Sequence, residues 1–305
     1  MRPRVLVTRR IPSGVLAKID AVCDVDMHDT QVLLPRDELK ARLSDKQAVV
    51  CVLTDRIDAE VLDAAPGLKV VSNIAVGYDN IDVEAATARG VTVTNTPDVL
   101  TEATAELTWS LILAAARRIA EGDRLVRRGA WKAWTLDFML GTELRGKQLG
   151  IIGRGRIGRA VAAKAPAFGM TAVFAKQDMS IDELLISSDV ISIHTSLRPD
   201  TRHLIDKRAL ARMKRTAILV NTARGSVVDE EALAWALEER LIAAAALDVY
   251  EREPIVNDAL LSMENVVLAP HLGSATRETR TAMIDLAVSN VIEVVHGRAP
   301  LTPVK

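Results

Sequence analysis

The sequence predicts an α/β protein built from two doubly wound, parallel-sheet domains. The chain has 305 residues, about twice the usual length of one domain. Short β-branched apolar runs alternate with helix-like segments from end to end. Parallel strands need crossover helices, so this alternation favours parallel sheets covered on both faces. The pattern starts anew after a long Ala- and Leu-rich helix that begins near Thr101 and is predicted to run past Arg117, which indicates a second unit.

The apolar runs define the predicted strands in chain order. The first unit has runs at 4–8, 49–53, 69–72 and 91–94. The second has runs at 149–152, 171–175, 190–193, 218–220, 244–247 and 266–268. A last helix is predicted over 280–295, and its apolar positions suit packing on the first unit.

Composition excludes several classes of protein. Hydrophobic residues at 49% and charged residues at 26% are values of a globular chain, not of a disordered, collagen-like or disulfide-dense one. The net charge is -1 and no block of one sign stands out, so neither nucleic acid nor a membrane surface is expected as a partner. Cys23 and Cys51 lack metal-site spacing and are predicted to be buried. The absence of a signal peptide or membrane-length segment favours the cytoplasm.

A glycine-rich turn follows the strand predicted at 149–152. Gly153, Gly155 and Gly158 form the GxGxxG pattern directly before a helical segment. Such glycines permit a tight turn, close approach of a diphosphate and close packing of helix on strand, while the helix N-terminus offers N–H donors. The pattern predicts a dinucleotide site; the alternative is a strand-to-helix turn without a ligand.

The residue after the next strand bears on the choice of coenzyme. An acidic residue normally binds the adenosine ribose at this point, but Lys176 stands here. An ammonium group attracts a 2'-phosphate, so NADP is favoured over NAD. The alternative is a solvated Lys176, with Asp178 turning in to bind the ribose.

Three later strands are each followed by a residue of catalytic type, namely Arg224, Glu253 and His271. Loops at the carboxyl ends of parallel strands converge, so the three side chains are expected to meet. A guanidinium can clamp and polarise a 2-oxo acid, a histidine can protonate its carbonyl oxygen, and a carboxylate can orient the imidazole. Taken singly, each has a structural interpretation, and His194 is interpreted as structural.

These residues resemble the D-2-hydroxyacid dehydrogenase family over nearly the whole chain. The matching motifs appear in family order: NIAVGYDN at 73–80, TEATAE at 101–106, the glycine turn, NTARGS at 221–226, ALDVY at 246–250 with Glu253-Pro254, and PHLGSAT at 270–276. The resemblance implies a substrate-binding domain of residues 1–98 plus 285–305 and an inserted dinucleotide-binding domain of residues 99–284. It also identifies Arg224, Glu253 and His271 as the catalytic residues.

The resemblance further implies which residues bind ligands. Backbone N–H groups at Val76 and Gly77 would hold the substrate carboxylate. The dinucleotide would contact a set of residues spread over the second domain: Thr104, Arg156, Ile157, Thr222, Asp248 and His271.

The same resemblance suggests a homodimer of the glyoxylate and hydroxypyruvate reductase branch. In that branch a tryptophan from the neighbouring subunit reaches the active site, and Trp131 or Trp134 matches it; packing at the dimer interface is the alternative. Two departures affect the adenosine side. Residues 176–180 replace a longer family segment, and Ser196 stands where many NAD-using members have proline.

The sequence therefore predicts an NAD(P)-dependent reductase of a small 2-oxo acid, most simply glyoxylate or hydroxypyruvate. The competing hypothesis is a dinucleotide-sensing protein of the same fold that resembles corepressors and retains the three residues.

Overall fold

The computed structural model describes residues 2–304, which form two compact units. One unit consists of Met1–Leu100 and Thr276–Lys305, the other of Thr101–Ala275. The second boundary therefore lies before the predicted position of 284. The reason is local: the Thr276 side chain caps one continuous helix that belongs as a whole to the first unit.

Eleven strands and twelve α-helices are found in the described residues. The strands are β1 (Arg4–Val7), β2 (Asp24–Met27), β3 (Ala48–Cys51), β4 (Val70–Asn73), β5 (Thr92–Thr94), β6 (Gln148–Ile152), β7 (Thr171–Phe174), β8 (Val190–Ile193), β9 (Ile218–Asn221), β10 (Ala244–Leu247) and β11 (Val266–Leu268). The helices are α1 (Ser13–Asp20), α2 (Arg36–Leu43), α3 (Ala59–Asp63), α4 (Val83–Ala88), α5 (Thr101–Ala116), α6 (Ile119–Arg127), α7 (Arg156–Lys164), α8 (Ile181–Ser187), α9 (Lys207–Arg212), α10 (Glu230–Glu238), α11 (Asp258–Ser262) and α12 (Arg277–Val295).

The first unit contains a parallel sheet in the order β2-β1-β3-β4-β5. Its central strands β1, β3 and β4 are largely apolar and contribute core residues on both faces, and α12 packs on one of these faces, as predicted. The Ser72 hydroxyl donates to the Ala287 carbonyl at 2.9 Å, which ties α12 to β4. Strand β2 was not predicted, because an edge strand with Asp24 and Asp26 lacks the continuous apolar run that marked the others.

The second unit contains a parallel sheet in the order β11-β10-β9-β8-β6-β7. All six predicted strands are confirmed. The chain reverses its direction of winding between β6 and β8, and the crevice at such a switch point is where doubly wound sheets bind ligands. The loops after β9, β10 and β11 are neighbours along the same carboxyl edge.

The helix predicted to run past Arg117 ends earlier, at Ala116. Arg118 adopts a left-handed conformation with φ 54°, and α6 starts anew at Ile119. The end of α5 is capped from a distant segment, since the Thr142 N–H donates to the Ala116 carbonyl at 2.7 Å.

Both cysteines are free and fully buried, as predicted. None of the helices formed by residues 2–304 combines the length and the apolar character that a membrane span requires.

Candidate active site

The loops after β10 and β11 bring two predicted catalytic side chains into contact. His271 Nδ1 lies 2.8 Å from Glu253 Oε2, and each side chain is 29% exposed. A carboxylate at Nδ1 keeps the proton on that nitrogen, so Nε2 is the atom left to exchange a proton. The pair is thus arranged for acid–base chemistry at one atom.

The surroundings of Glu253 favour its ionised form. Burial acts to raise the pKa of Glu253, but the hydrogen bond and charge of His271, together with the Tyr250 N–H and the charge of Arg224, lower it below its ordinary value. The Tyr250 N–H donates to Oε1 at 3.0 Å, which leaves Oε2 for the imidazole. Glu253 is therefore a carboxylate at neutral pH.

Arg224 lies in the loop after β9, which is locked against the loop after β10. A Cβ on Gly225 would lie 1.8 Å from the carbonyl carbon of Tyr250, so only glycine allows this approach. A second pair of contacts joins the same region: the Glu230 N–H donates to Oε1 of Glu251 at 3.0 Å, and the Glu251 N–H donates to the Glu230 carboxylate. The spacing between Arg224 and Glu253 is thus set by backbone contact between their loops.

The backbone of Arg224 is itself fixed. The Asn221 side chain donates to the Arg224 carbonyl at 2.9 Å and accepts from the Ala223 N–H at 3.1 Å. The Arg224 guanidinium donates to the Ala223 carbonyl at 2.8 Å.

Asp248 and Tyr250 hold the turn that carries His271. The buried Asp248 carboxylate accepts from the N–H groups of Leu272 and Gly273 at 2.6 and 2.8 Å. Burial is the main cause that raises the pKa of Asp248. The Tyr250 hydroxyl donates to the Ala269 carbonyl at 2.9 Å, and burial followed by the charge of Asp248 raises its pKa to about 12. The sequence motif contains Tyr250, but its positioning role could not be inferred from residue type.

The glycine turn has the geometry that a diphosphate site requires. Gly153 has φ 107°, and a Cβ there would lie 2.4 Å from the His194 carbonyl oxygen. A Cβ on Gly158 would meet the Gly153 carbonyl oxygen at 2.1 Å, whereas Gly155 faces open space. No side chain caps the start of α7 at Gly155. The residues present therefore fit a dinucleotide phosphate at this helix N-terminus.

His194 beside this turn has a structural environment. Its Nε2 lies 2.8 Å from the Ser192 hydroxyl, and burial lowers the pKa of His194 to about 3. It is uncharged at neutral pH and contacts no carboxylate among residues 2–304.

The adenosine side is one short turn between β7 and α8. Lys176 is exposed with φ 67°, and its N–H donates to the Met179 carbonyl at 2.8 Å. Asp178 is already engaged, since its carboxylate accepts from the Phe174 N–H at 2.7 Å. The Arg154 guanidinium lies 5.5 Å from the centre of the Phe174 ring. Ser196, in the exposed loop after β8, accepts through its carbonyl from the Thr201 hydroxyl at 2.8 Å.

The other predicted coenzyme residues lie at the same edge of the second sheet or on elements beside it. The Thr104 hydroxyl donates to the Gly273 carbonyl at 3.0 Å, and the Thr222 hydroxyl lies 3.0 Å from that of Thr108. Arg156 and Ile157 form the first turn of α7. The part that these residues take in coenzyme binding remains a prediction.

Val76 and Gly77 belong to the first unit and follow β4. Their carbonyls accept from buried or half-buried asparagine side chains, Val76 from Asn95 at 2.8 Å and Gly77 from Asn73 at 2.9 Å. Trp131 and Trp134 belong to the second unit, in an irregular segment after α6, and are 56% and 74% exposed.

Together, the glycine turn and the arginine, carboxylate and histidine loops define a dinucleotide-dependent oxidoreductase. Comparison with known proteins agrees. Residues 109–273 match the family model described as "D-isomer specific 2-hydroxyacid dehydrogenase, NAD binding domain". The chain belongs to the D-2-hydroxyacid dehydrogenase family.

Similar proteins cover the chain from end to end. The glyoxylate reductase of Thermofilum pendens is 48% identical, over 98% of this chain and 93% of its own length. That of Thermococcus kodakarensis is 46% identical, over 99% and 96%. The TT0316 protein of Thermus thermophilus superposes with a TM-score of 0.94 at 46% identity, covering 99% of this chain and all of its own. An NADPH-dependent glyoxylate/hydroxypyruvate reductase of Sinorhizobium meliloti, solved with NADP and malonate, gives 0.87 at 34% identity, covering 100% and 97%.

Proposed function

We propose that the protein reduces a small 2-oxo acid, glyoxylate or hydroxypyruvate, with NADPH or NADH. The observation that carries this proposal is the contact of His271 Nδ1 with Glu253 at 2.8 Å. The loop that carries Glu253 is also packed against the loop that carries Arg224. The similar reductases named above support the substrate class.

Each of the three side chains has one role in this reaction. The planar guanidinium of Arg224 binds the substrate carboxylate and polarises the carbonyl. His271 Nε2 donates the proton to the carbonyl oxygen, and Glu253 stabilises the imidazolium form and holds the ring. A reduced nicotinamide, when bound, supplies the hydride. In the first unit, backbone N–H groups at Val76 and Gly77 hold the substrate carboxylate.

The second unit, Thr101–Ala275, is proposed to hold the coenzyme, and the first unit the substrate. Its coenzyme residues are those of the glycine turn with Thr104, Thr222 and Asp248. Lys176 and Ser196 on the adenosine side support a preference for NADP. With Asp178 occupied in its own turn, Lys176 is the charged residue of this turn left to meet a ribose substituent.

A homodimer in the cytoplasm is the proposed working state. The second unit exposes a run of large apolar side chains, Trp131, Trp134, Leu136 and Leu140, and α6 beside it has no buried residue. Contiguous apolar exposure of this kind is typical of an interface. We propose that a second copy covers it and that Trp134 reaches the substrate pocket of that copy.

The decisive experiment measures turnover of glyoxylate, hydroxypyruvate and pyruvate with NADPH and with NADH. We expect reduction of the first two, with coenzyme oxidation in equal amount. Tight binding of coenzyme without turnover of any 2-oxo acid would instead favour the dinucleotide-sensing alternative.

A further inference from the structure

Three consecutive carbonyls after β4 are anchored to the interior of the first unit. The Ala75 carbonyl accepts from the Thr96 N–H at 2.8 Å. The Val76 carbonyl accepts from the Asn95 side chain at 2.8 Å, and the Gly77 carbonyl from the Asn73 side chain at 2.9 Å. Three separate donors thus fix three successive peptide units.

The anchoring determines where the N–H groups of these units point. In a trans peptide the N–H is directed opposite to the C=O of the same unit. The N–H groups of Val76, Gly77 and Tyr78 therefore face away from the donors that hold the carbonyls. None of these three N–H groups has an acceptor within residues 2–304. Successive N–H groups left without acceptors form a concave site for an anion.

The side chain of Asn73 is itself fixed by a second set of hydrogen bonds. Its side chain also donates to Asn80 Oδ1 at 3.0 Å, and the Asn80 amide donates to the carbonyls of Val52 and Asp55 at 3.2 and 2.9 Å. Asn73 is fully buried, so its amide has a single satisfied orientation.

Asn95 is held by the C-terminal segment of the chain. The Thr302 hydroxyl donates to the Asn95 carbonyl at 2.6 Å and accepts from the Asn290 side chain at 2.8 Å. Asn290, fully buried in α12, also accepts from the N–H groups of Leu301 and Thr302 at 2.9 and 3.0 Å. The Val304 N–H donates to the Val93 carbonyl at 2.8 Å, so the segment pairs alongside β5.

We propose that Asn73 and Asn95 are positioning residues that aim the N–H groups of Val76, Gly77 and Tyr78 at the substrate carboxylate, and that Thr302 of the C-terminal segment sets the position of Asn95. The inference rests on the proposed function, which places the carboxylate at this loop. It assigns to the end of the chain a part in substrate affinity.

The test uses the 305-residue chain with two single substitutions, one next to the loop and one further from it. Asn95→Ala removes the donor to the Val76 carbonyl. Thr302→Val leaves that loop untouched and removes the hydroxyl that links the Asn95 carbonyl to the Asn290 side chain. We expect KM for glyoxylate to rise on the order of tenfold in Asn95→Ala and several-fold in Thr302→Val. In both, kcat and the KM for NADPH should stay within about twofold, because the loop binds only the carboxylate.

Two controls separate positioning from general stability. Thr302→Ser retains the hydroxyl and should restore wild-type KM. Gln47→Ala removes an amide oxygen that accepts from the Arg4 N–H at 2.7 Å. This contact lies at the amino ends of β1 and β3, whereas the Val76 loop follows the carboxyl end of β4, so KM should stay unchanged even where Tm falls.

A binding measurement keeps the test independent of turnover. Oxalate, a small dicarboxylate, is titrated calorimetrically into each protein saturated with NADPH, and its Kd should rise in parallel with KM. If the wild-type protein reduces no 2-oxo acid, the proposed function is wrong. Weaker oxalate binding in the two variants would still support the positioning role in that case. Variants with lowered Tm but unchanged KM and oxalate Kd, or a wild type that binds no oxalate, would overturn it.

Discussion

Replacing Gly225 by Ala should disable catalysis without touching a catalytic side chain. The new Cβ would lie 1.8 Å from the carbonyl carbon of Tyr250 and 2.0 Å from its oxygen. An ordinary contact begins at 3.4 Å, so the loops that carry Arg224 and Glu253 would have to separate by about 1.6 Å. A displacement of about 1 Å can cost a hundredfold in rate. We therefore expect kcat to fall by about two orders of magnitude or more.

The assay compares kcat and KM for glyoxylate with those of a matched glycine variant. Gly14→Ala serves as the control, because its Cβ would meet nothing within 4 Å and the residue lies in α1 of the first unit. Near-ultraviolet circular dichroism checks that each variant is folded. A folded Gly225→Ala protein with wild-type kcat would refute the reasoning, since the loops would then be free to move apart at no catalytic cost.

Four further changes test separate parts of the proposal. His271→Ala should lower kcat roughly a hundredfold or more through loss of proton transfer, while calorimetry finds the NADPH Kd nearly unchanged. Lys176→Asp should lower the ratio of kcat/KM for NADPH over NADH several-fold at low ionic strength, because a carboxylate repels the 2'-phosphate; an unchanged ratio would leave Lys176 a solvated side chain. Trp134→Ala should alter selectivity among 2-oxo acids more than coenzyme affinity, and a change confined to dimer dissociation, measured by sedimentation, would favour simple packing. His194 has its pKa lowered to about 3 by burial from an ordinary 6.5, so the unfolded chain binds more protons between these pH values and the free energy of unfolding falls as pH falls through this range. In urea titrations His194→Gln should flatten that loss by up to about 5 kcal/mol, and an identical pH dependence would show that the ring is solvated.

The sheets could be predicted because their central strands are buried on both faces. A run such as Val190–Ile193 is almost wholly apolar, so it stands out without knowledge of its neighbours. Strand β2 lies at the edge of its sheet, where it pairs with β1 only, and its Asp24 is exposed to solvent. Its sequence therefore has no continuous apolar run that would mark it as a strand. The early end of α5 was also hidden, since its cap comes from Thr142, more than twenty residues downstream.

The proposed catalytic residues could be selected from the sequence because their chemistry is unusual for their positions. An arginine, a glutamate and a histidine in the loops after three buried strands have few structural reasons to stand there together. The sequence predicted that these loops converge, and the structure shows why His271 meets Glu253, since β10 and β11 are adjacent strands. What the motifs could not supply is the distance between the loops, because this depends on Gly225 meeting the backbone of Tyr250.

The roles of Asn73 and Asn95 beside Val76 could not be predicted from the sequence. Asparagine has no catalytic signature, and its value here comes from partners that only the fold brings near: Thr302 meets Asn95 across 207 positions of sequence. An amide that orients a peptide unit acts through geometry rather than through reactivity, so its residue type does not indicate this role. In this chain the groups proposed to react were selected from local sequence patterns. The residues proposed to aim the N–H groups of the substrate loop are defined by contacts between β4, β5 and the C-terminal segment. It follows that variants at these aiming residues should lower substrate affinity with little change in turnover, whereas His271→Ala should lower turnover.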